Sequence, residues 1–233
     1  MDLSIYFDPI QIEDFKFIKR SSRKTFGDMI VKNLEGTYFP HLDDVQLAII
    51  GVGEERGQVD NHGCGEGINA IRDYFYDLFP GNYQPKVADL GNLRLGHTIQ
   101  DTYFALTAVC SELLERRIIP IIIGGSQDLT YANYRAYEDL GQIINIVAVD
   151  NKFDLGENDQ ELTSQSYLSK IILHQPNFLF NYTNLGYQTY FVDQDAIRLM
   201  KNLYFDTYRL GNVRANMKEV EPMVRNADMI SID

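Results

Sequence analysis

The sequence predicts an α/β protein with three layers, α/β/α, around a mostly parallel, doubly wound sheet. Two apolar runs, Ile118–Ile123 and Ile143–Val149, are short and rich in β-branched residues, as strands buried on both faces are. Each stops abruptly in a polar cluster: Gly124-Gly125-Ser126-Gln127-Asp128 after the first, Asp150-Asn151-Lys152-Phe153-Asp154 after the second. Strand-like and helix-like segments also alternate along the chain, which implies parallel strands with crossover helices. Ligands of such sheets bind beyond the carboxyl ends of the strands. Both clusters are therefore expected on one rim, with the chemistry there.

Residues 1–44 read as a partly helical N-terminal extension, with Phe15–Ile18 a short helix or strand and the basic run Lys19–Lys24 a solvated loop. Residues 45–233 form the expected α/β domain. Val45–Val52 is its first core strand, ending in Gly51-Val52-Gly53-Glu54-Glu55-Arg56-Gly57. That spacing departs from the dinucleotide fingerprint, and two glutamates would face the pyrophosphate, so a nucleotide-binding reading is weak. Ala70-Ile71-Arg72 opens a helix whose apolar stripe is expected at Tyr74, Phe75, Leu78 and Phe79, stopped by Pro80-Gly81. His62 reads as an exposed loop residue. Thr98 and Asp101 form a capping box, and Ile99, Tyr103, Leu106, Cys110 and Leu113 follow at helical spacing. Asp128 or Ser126 is expected to cap a helix over Leu129–Leu140 that Gly141 ends. Helices are expected over Thr163–Leu173, Asp195–Leu203 and Met217–Asn226, with strands at Phe178–Phe180, Tyr204-Phe205 and Asp228–Asp233.

Composition excludes some partners. Aspartate and glutamate number 33 against 21 lysines and arginines, a net charge of −12 over 233 residues, which opposes nucleic acid and anionic membranes. The two cysteines, with no signal peptide and no apolar run of membrane length, fit reduced thiols in a cytoplasmic protein.

The two polar clusters resemble the central motifs of the arginase/agmatinase/formimidoylglutamase superfamily, the ureohydrolases. Those enzymes carry Gly-Gly-Asp-His-Ser, Asp-Ala-His-x-Asp and Ser-x-Asp-x-Asp after successive strands. Gly-Val-Gly at 51–53, Ala70-Ile71-Arg72, Asp89-Leu90-Gly91-Asn92 and Leu185–Gln188 match further family segments in the right order. The resemblance implies the arginase-like fold, hydrolysis of a C–N bond in a linear amidine such as formimidoylglutamate, agmatine or arginine, and two manganese ions bridging a hydroxide. By family position, Asp150 and Asp233 would bridge both metals and Asp154 would bind one. The two histidine ligands are replaced, by Gln127 and by Lys152, and the chain stops at the first aspartate of the third motif, so the domain is expected to be incomplete there.

Three carboxylates in one place need a counter-charge. A hard divalent ion is one answer, and the Lys152 ammonium is the other. No catalytic residue can be assigned. Ser126, Asp128 and Asn151 are further rim candidates. The sequence leads to a ureohydrolase-like protein that has lost binuclear manganese catalysis and serves in binding or assembly, a pseudoenzyme with no tightly held cofactor or with a weakened Mn2+ site. An amidine or guanidino ligand and self-association are its expected partners. The alternative is a hydrolase of linear amidines with a residual metal at Asp150, Asp154 and Asp233.

Overall fold

The computed structural model describes residues 1–11, 25–82, 85–156 and 161–233. The expected elements at Phe15–Ile18 and Lys19–Lys24 lie outside these. The chain divides into two compact units, Met1–Arg56 with Asp60–Ser126, and Gly57–Val59 with Gln127–Asp233.

The first unit is built on a sheet of β1 (Phe7–Asp8), β2 (Val31–Lys32), β3 (Leu47–Gly51), β4 (Val87–Leu93) and β5 (Ile119–Ile123). Their order is β1-β4-β3-β5, with β2 also on β4. All ladders are parallel except β1 with β4. Among the described residues the α-helices of this unit are α1 (Phe26–Met29), α2 (Ile68–Tyr76) and α3 (Ile99–Glu115). The capping box forms at the start of α3: the Asp101 N–H donates to Thr98 Oγ1 at 3.2 Å, and the Thr98 N–H donates to Asp101 at 2.8 Å. Leu106, Cys110 and Leu113 are fully buried, as their spacing predicts, and burial pushes the Cys110 thiol up to about 12.

The apolar stripe of α2 does not run where the sequence puts it. Tyr74, Leu78 and Phe79 are exposed, and the buried face is Ile68, Arg72 and Tyr76. The reason is Asp89, which recruits an arginine and a tyrosine inward. Arg72 Nη2 donates to Asp89 Oδ1 at 2.8 Å, Arg72 Nε donates to Oδ2 at 2.9 Å, and the Tyr76 hydroxyl donates to Oδ2 at 2.6 Å. Gly51 makes room for this. A Cβ there would lie 2.2 Å from Asn92 Oδ1 and 2.9 Å from Arg72 Nη2. The glycine loop after β3 thus packs against the protein's own side chains, and the nucleotide-binding reading finds no support.

The second unit has a parallel four-stranded sheet in the order β8-β7-β6-β9, from β6 (Ile144–Val149), β7 (Leu179–Tyr187), β8 (Asp206–Arg209) and β9 (Met229–Ile232). Its helices are α4 (Leu129–Asp139), α5 (Tyr167–Leu173), α6 (Gln194–Asn202), α7 (Leu210–Ala215) and α8 (Val220–Arg225). Tyr204-Phe205, expected as a strand, instead forms the turn before β8, with Tyr204 at φ 59°. The expected helix from Thr163 begins only at Tyr167, because the Thr163 N–H and hydroxyl bond to Ser166 Oγ at 3.0 Å and hold a turn there. Among the described residues no helix is long and apolar enough to cross a membrane.

Candidate functional site

The site residues of the second unit gather at the carboxyl ends of β6 and β9. β6 and β9 run parallel with Val149 opposite Ile232, so Asp150 and Asp233 each follow directly on one of two adjacent strands. The Asp233 N–H donates to the Val149 carbonyl at 3.1 Å and the Asp150 N–H to the Leu185 carbonyl at 3.2 Å. A tight loop then returns Asp154 toward Asp150. The Lys152 N–H donates to Asp150 Oδ1 at 2.9 Å, and Asp154 sits at φ 47°, a left-handed conformation that aspartate tolerates better than most residues.

Asn184 holds this loop from β7. Its buried side chain donates to the Lys152 carbonyl at 2.7 Å and accepts from the Tyr187 N–H at 3.1 Å. The Gln188 N–H donates to the Asn151 carbonyl and the Leu168 N–H to that of Asp154. The carboxylates therefore stand on a loop fixed at several points. Sequence reading missed Asn184, along with Tyr167 and Tyr182 beneath it. Asn181-Tyr182-Thr183-Asn184 lies inside a strand, where a polar residue gives no outward signal of what it will meet.

The electrostatics are unbalanced. Asp150 is 6% exposed. Asp150 Oδ2 and Asp154 Oδ2 are buried, and no donor from any described residue reaches them, Lys152 included. Burial, then hydrogen bonding to Asp150 and its charge, then Asp233, push the Asp154 carboxyl up to about 9, while Lys152 opposes them. Asp233 is raised by shielding on its inner side, then by Asp150, again against Lys152. Lys152 thus offsets part of the acid charge, while its ammonium donates to neither buried oxygen. The phenols of Tyr167 and Tyr182 are fully buried, outside hydrogen-bond geometry with any described partner. Both titrate above the usual tyrosine range, chiefly through burial and partly through the charge of Asp154.

The remaining candidates have other work. Gln127 Nε2 donates to Ser231 Oγ at 2.8 Å, and Ser231 in turn lies 2.6 Å from Thr130 Oγ1. The amide at the family's first histidine position thus ties α4 to β9. Ser126 belongs to the first unit, where its N–H donates to the Glu54 carbonyl at 2.9 Å. Asp128 is fully buried at the start of α4, yet neither it nor Ser126 gives that helix a side-chain cap. Asp128 lies against Gly57, where a Cβ would stand 2.5 Å from its carboxylate. The side chain of Asn151 is exposed, as is that of His62 in the first unit.

Two manganese ions do not fit this donor set. Both nitrogen positions are lost, one to an amide engaged elsewhere and one to a cation. Among the described residues no group of three or more histidine, cysteine, aspartate or glutamate side chains is arranged to hold a metal.

Comparison with known proteins bears on this geometry. The profile of the arginase family matches residues 45–233. The formimidoylglutamase of Lysinibacillus sphaericus is 24% identical over 192 residues, covering 77% of this chain and 58% of that protein. The chain thus spans well under two thirds of that relative. The Halobacterium salinarum formimidoylglutamase is 27% identical over 114 residues, 47% of this chain and 34% of that protein. Among solved structures, Bacillus subtilis formimidoylglutamase superposes with a TM-score of 0.74 at 16% identity, over 92% of this chain and 71% of the other. Trypanosoma cruzi formiminoglutamase with Mn2+ gives 0.71 at 18% identity, over 80% and 68%. The fold is therefore arginase-like, α/β with mostly parallel strands.

Proposed function

This chain belongs to the arginase family, and from that premise we propose that it binds an amidinium- or guanidinium-type cation without running binuclear manganese hydrolysis. The observation that carries the reading is the fate of the two histidine positions. Gln127 is engaged with Ser231, and Lys152, which stands at the second histidine position of the motif, is a cation that opposes a metal ion there instead of ligating it. Water needs a metal to bring its pKa from about 15.7 towards 7. What remains is an under-neutralised set of carboxylates at a strand end, matched in charge and planarity to an amidinium.

Elemental analysis after loading with excess manganese and desalting tests this reading. Less than one equivalent retained is expected, and the double substitution Gln127→His with Lys152→His should raise retention. Two tightly held ions in the unsubstituted chain would overturn it.

The formimidoylglutamase relatives favour a second reading, a hydrolase of linear amidines with a residual Mn2+ at Asp150, Asp154 and Asp233. Turnover of formimidoylglutamate, agmatine or arginine by the chain with added manganese would establish it.

A further inference from the structure

A cavity of about 990 Å3 opens beside the acid cluster, lined by Lys152 and Asp154 and by residues of α5 and α6. This lies at the upper end of the roughly 300–1,000 Å3 typical of sites for drug-sized ligands, and a bare amidinium would fill little of it. Away from Lys152 and Asp154 the wall is largely apolar: Ile172, Leu173, Phe191, Ala196, Leu199 and Leu203. Leu173, Phe191 and Leu199 remain 57%, 55% and 43% exposed, an unusual cost for large apolar side chains grouped in one place.

The other two acids of the wall are already engaged. Asp193 Oδ1 accepts the Asp195 N–H at 2.9 Å as the cap of α6, and Asp195 is ion-paired with Arg198. Asp154 is the carboxylate left to meet a ligand, backed by Asp150 and Asp233 against the single charge of Lys152. A positive head is favoured there, and an aliphatic tail matches the rest.

We propose that this site takes an amphiphilic cation: an amidinium or guanidinium head against Asp154 with a hydrocarbon tail lying between α5 and α6. This rests on the cation-binding reading above and adds the ligand class.

The test is calorimetric titration of the whole chain, in chelator, with methyl-, butyl- and octylguanidinium below their micellar concentrations. Each buried methylene is worth about a fourfold gain when fully covered, so with partial burial octylguanidinium should bind at least about tenfold more tightly than butylguanidinium. Leu199→Asn, neutral and of similar size, should shrink that chain-length gain, and because Leu199 is part-exposed the variant should fold. Octanoate should bind far more weakly than octylguanidinium. Chain-length-independent binding would overturn the tail while leaving the cation-binding reading intact. Octanoate binding as tight as octylguanidinium would overturn the cationic head. Failure of all three guanidinium compounds to bind would remove both proposals.

Discussion

Asp89 lies within the core strand β4 and Asp154 on the turn after β6, one aspartate in each unit, and their surroundings differ in kind. Asp89 is fully buried and saturated: Arg72 grips both its oxygens, Tyr76 donates to one, and the Gly91 N–H donates to the other at 3.0 Å. Asp154 and its partner Asp150 have buried oxygens that no donor reaches. A carboxylate matched by a guanidinium and hydrogen bonds is part of the scaffold. A carboxylate held in place by its loop but left without donors is prepared for something that is not part of the chain. The family motif marks both positions, and only their partners tell the two roles apart.

The comparison breaks most visibly at Arg72. Replacing it by leucine strands Asp89 as an uncompensated buried charge, so the first unit should lose about 3–5 kcal/mol in denaturant unfolding. An unchanged midpoint would mean that Asp89 is solvated after all. Asn184→Leu removes the tie between β7 and the Lys152 carbonyl and should cost about 1–3 kcal/mol. It should also weaken guanidinium binding, which a purely local packing defect would leave unchanged.

At Asp154 the sign reverses. Its folded-state pKa, about 9, lies above the ordinary carboxyl value. The stability it contributes is therefore fully present below about pH 4 and is lost as pH rises through about 9. Asp154→Asn, which suits the same left-handed backbone, should then flatten the alkaline fall, read as a smaller loss of unfolding midpoint from pH 6 to pH 9 in chelator. Parallel pH–stability curves for the two proteins would refute the raised Asp154 carboxyl. The smallest effect is expected at Leu78→Ser on the exposed flank after α2: within about 0.5 kcal/mol of the parent, where a core position would cost several times more.

Much of this was legible in one dimension. The runs Ile118–Ile123 and Ile143–Val149 marked strands, the Thr98–Asp101 box fixed where α3 begins, and Cys110 fell in the core by spacing alone, but the expected burial on both faces fails at β5, the last strand in its sheet's order, where Ile119 is 60% exposed. The carboxylates Asp150, Asp154 and Asp233 were legible because each follows directly on a strand or on its turn. The α2 stripe was misread because hydrophobic periodicity cannot see Asp89 drawing Arg72 and Tyr76 inward from the next strand. Lys152 lies two residues from each of Asp150 and Asp154 in sequence, and that spacing does not show that its ammonium makes no hydrogen bond to their buried oxygens.

What the sequence by itself determined is the alternation of elements, the strand ends and the residue types placed there, because local propensity and periodicity are properties of neighbouring residues. Only the tertiary structure decided which of those residues are satisfied. That depends on donors arriving from distant parts of the chain, Arg72 for Asp89 and none for Asp154, and the cost of a buried charge is set by that three-dimensional company.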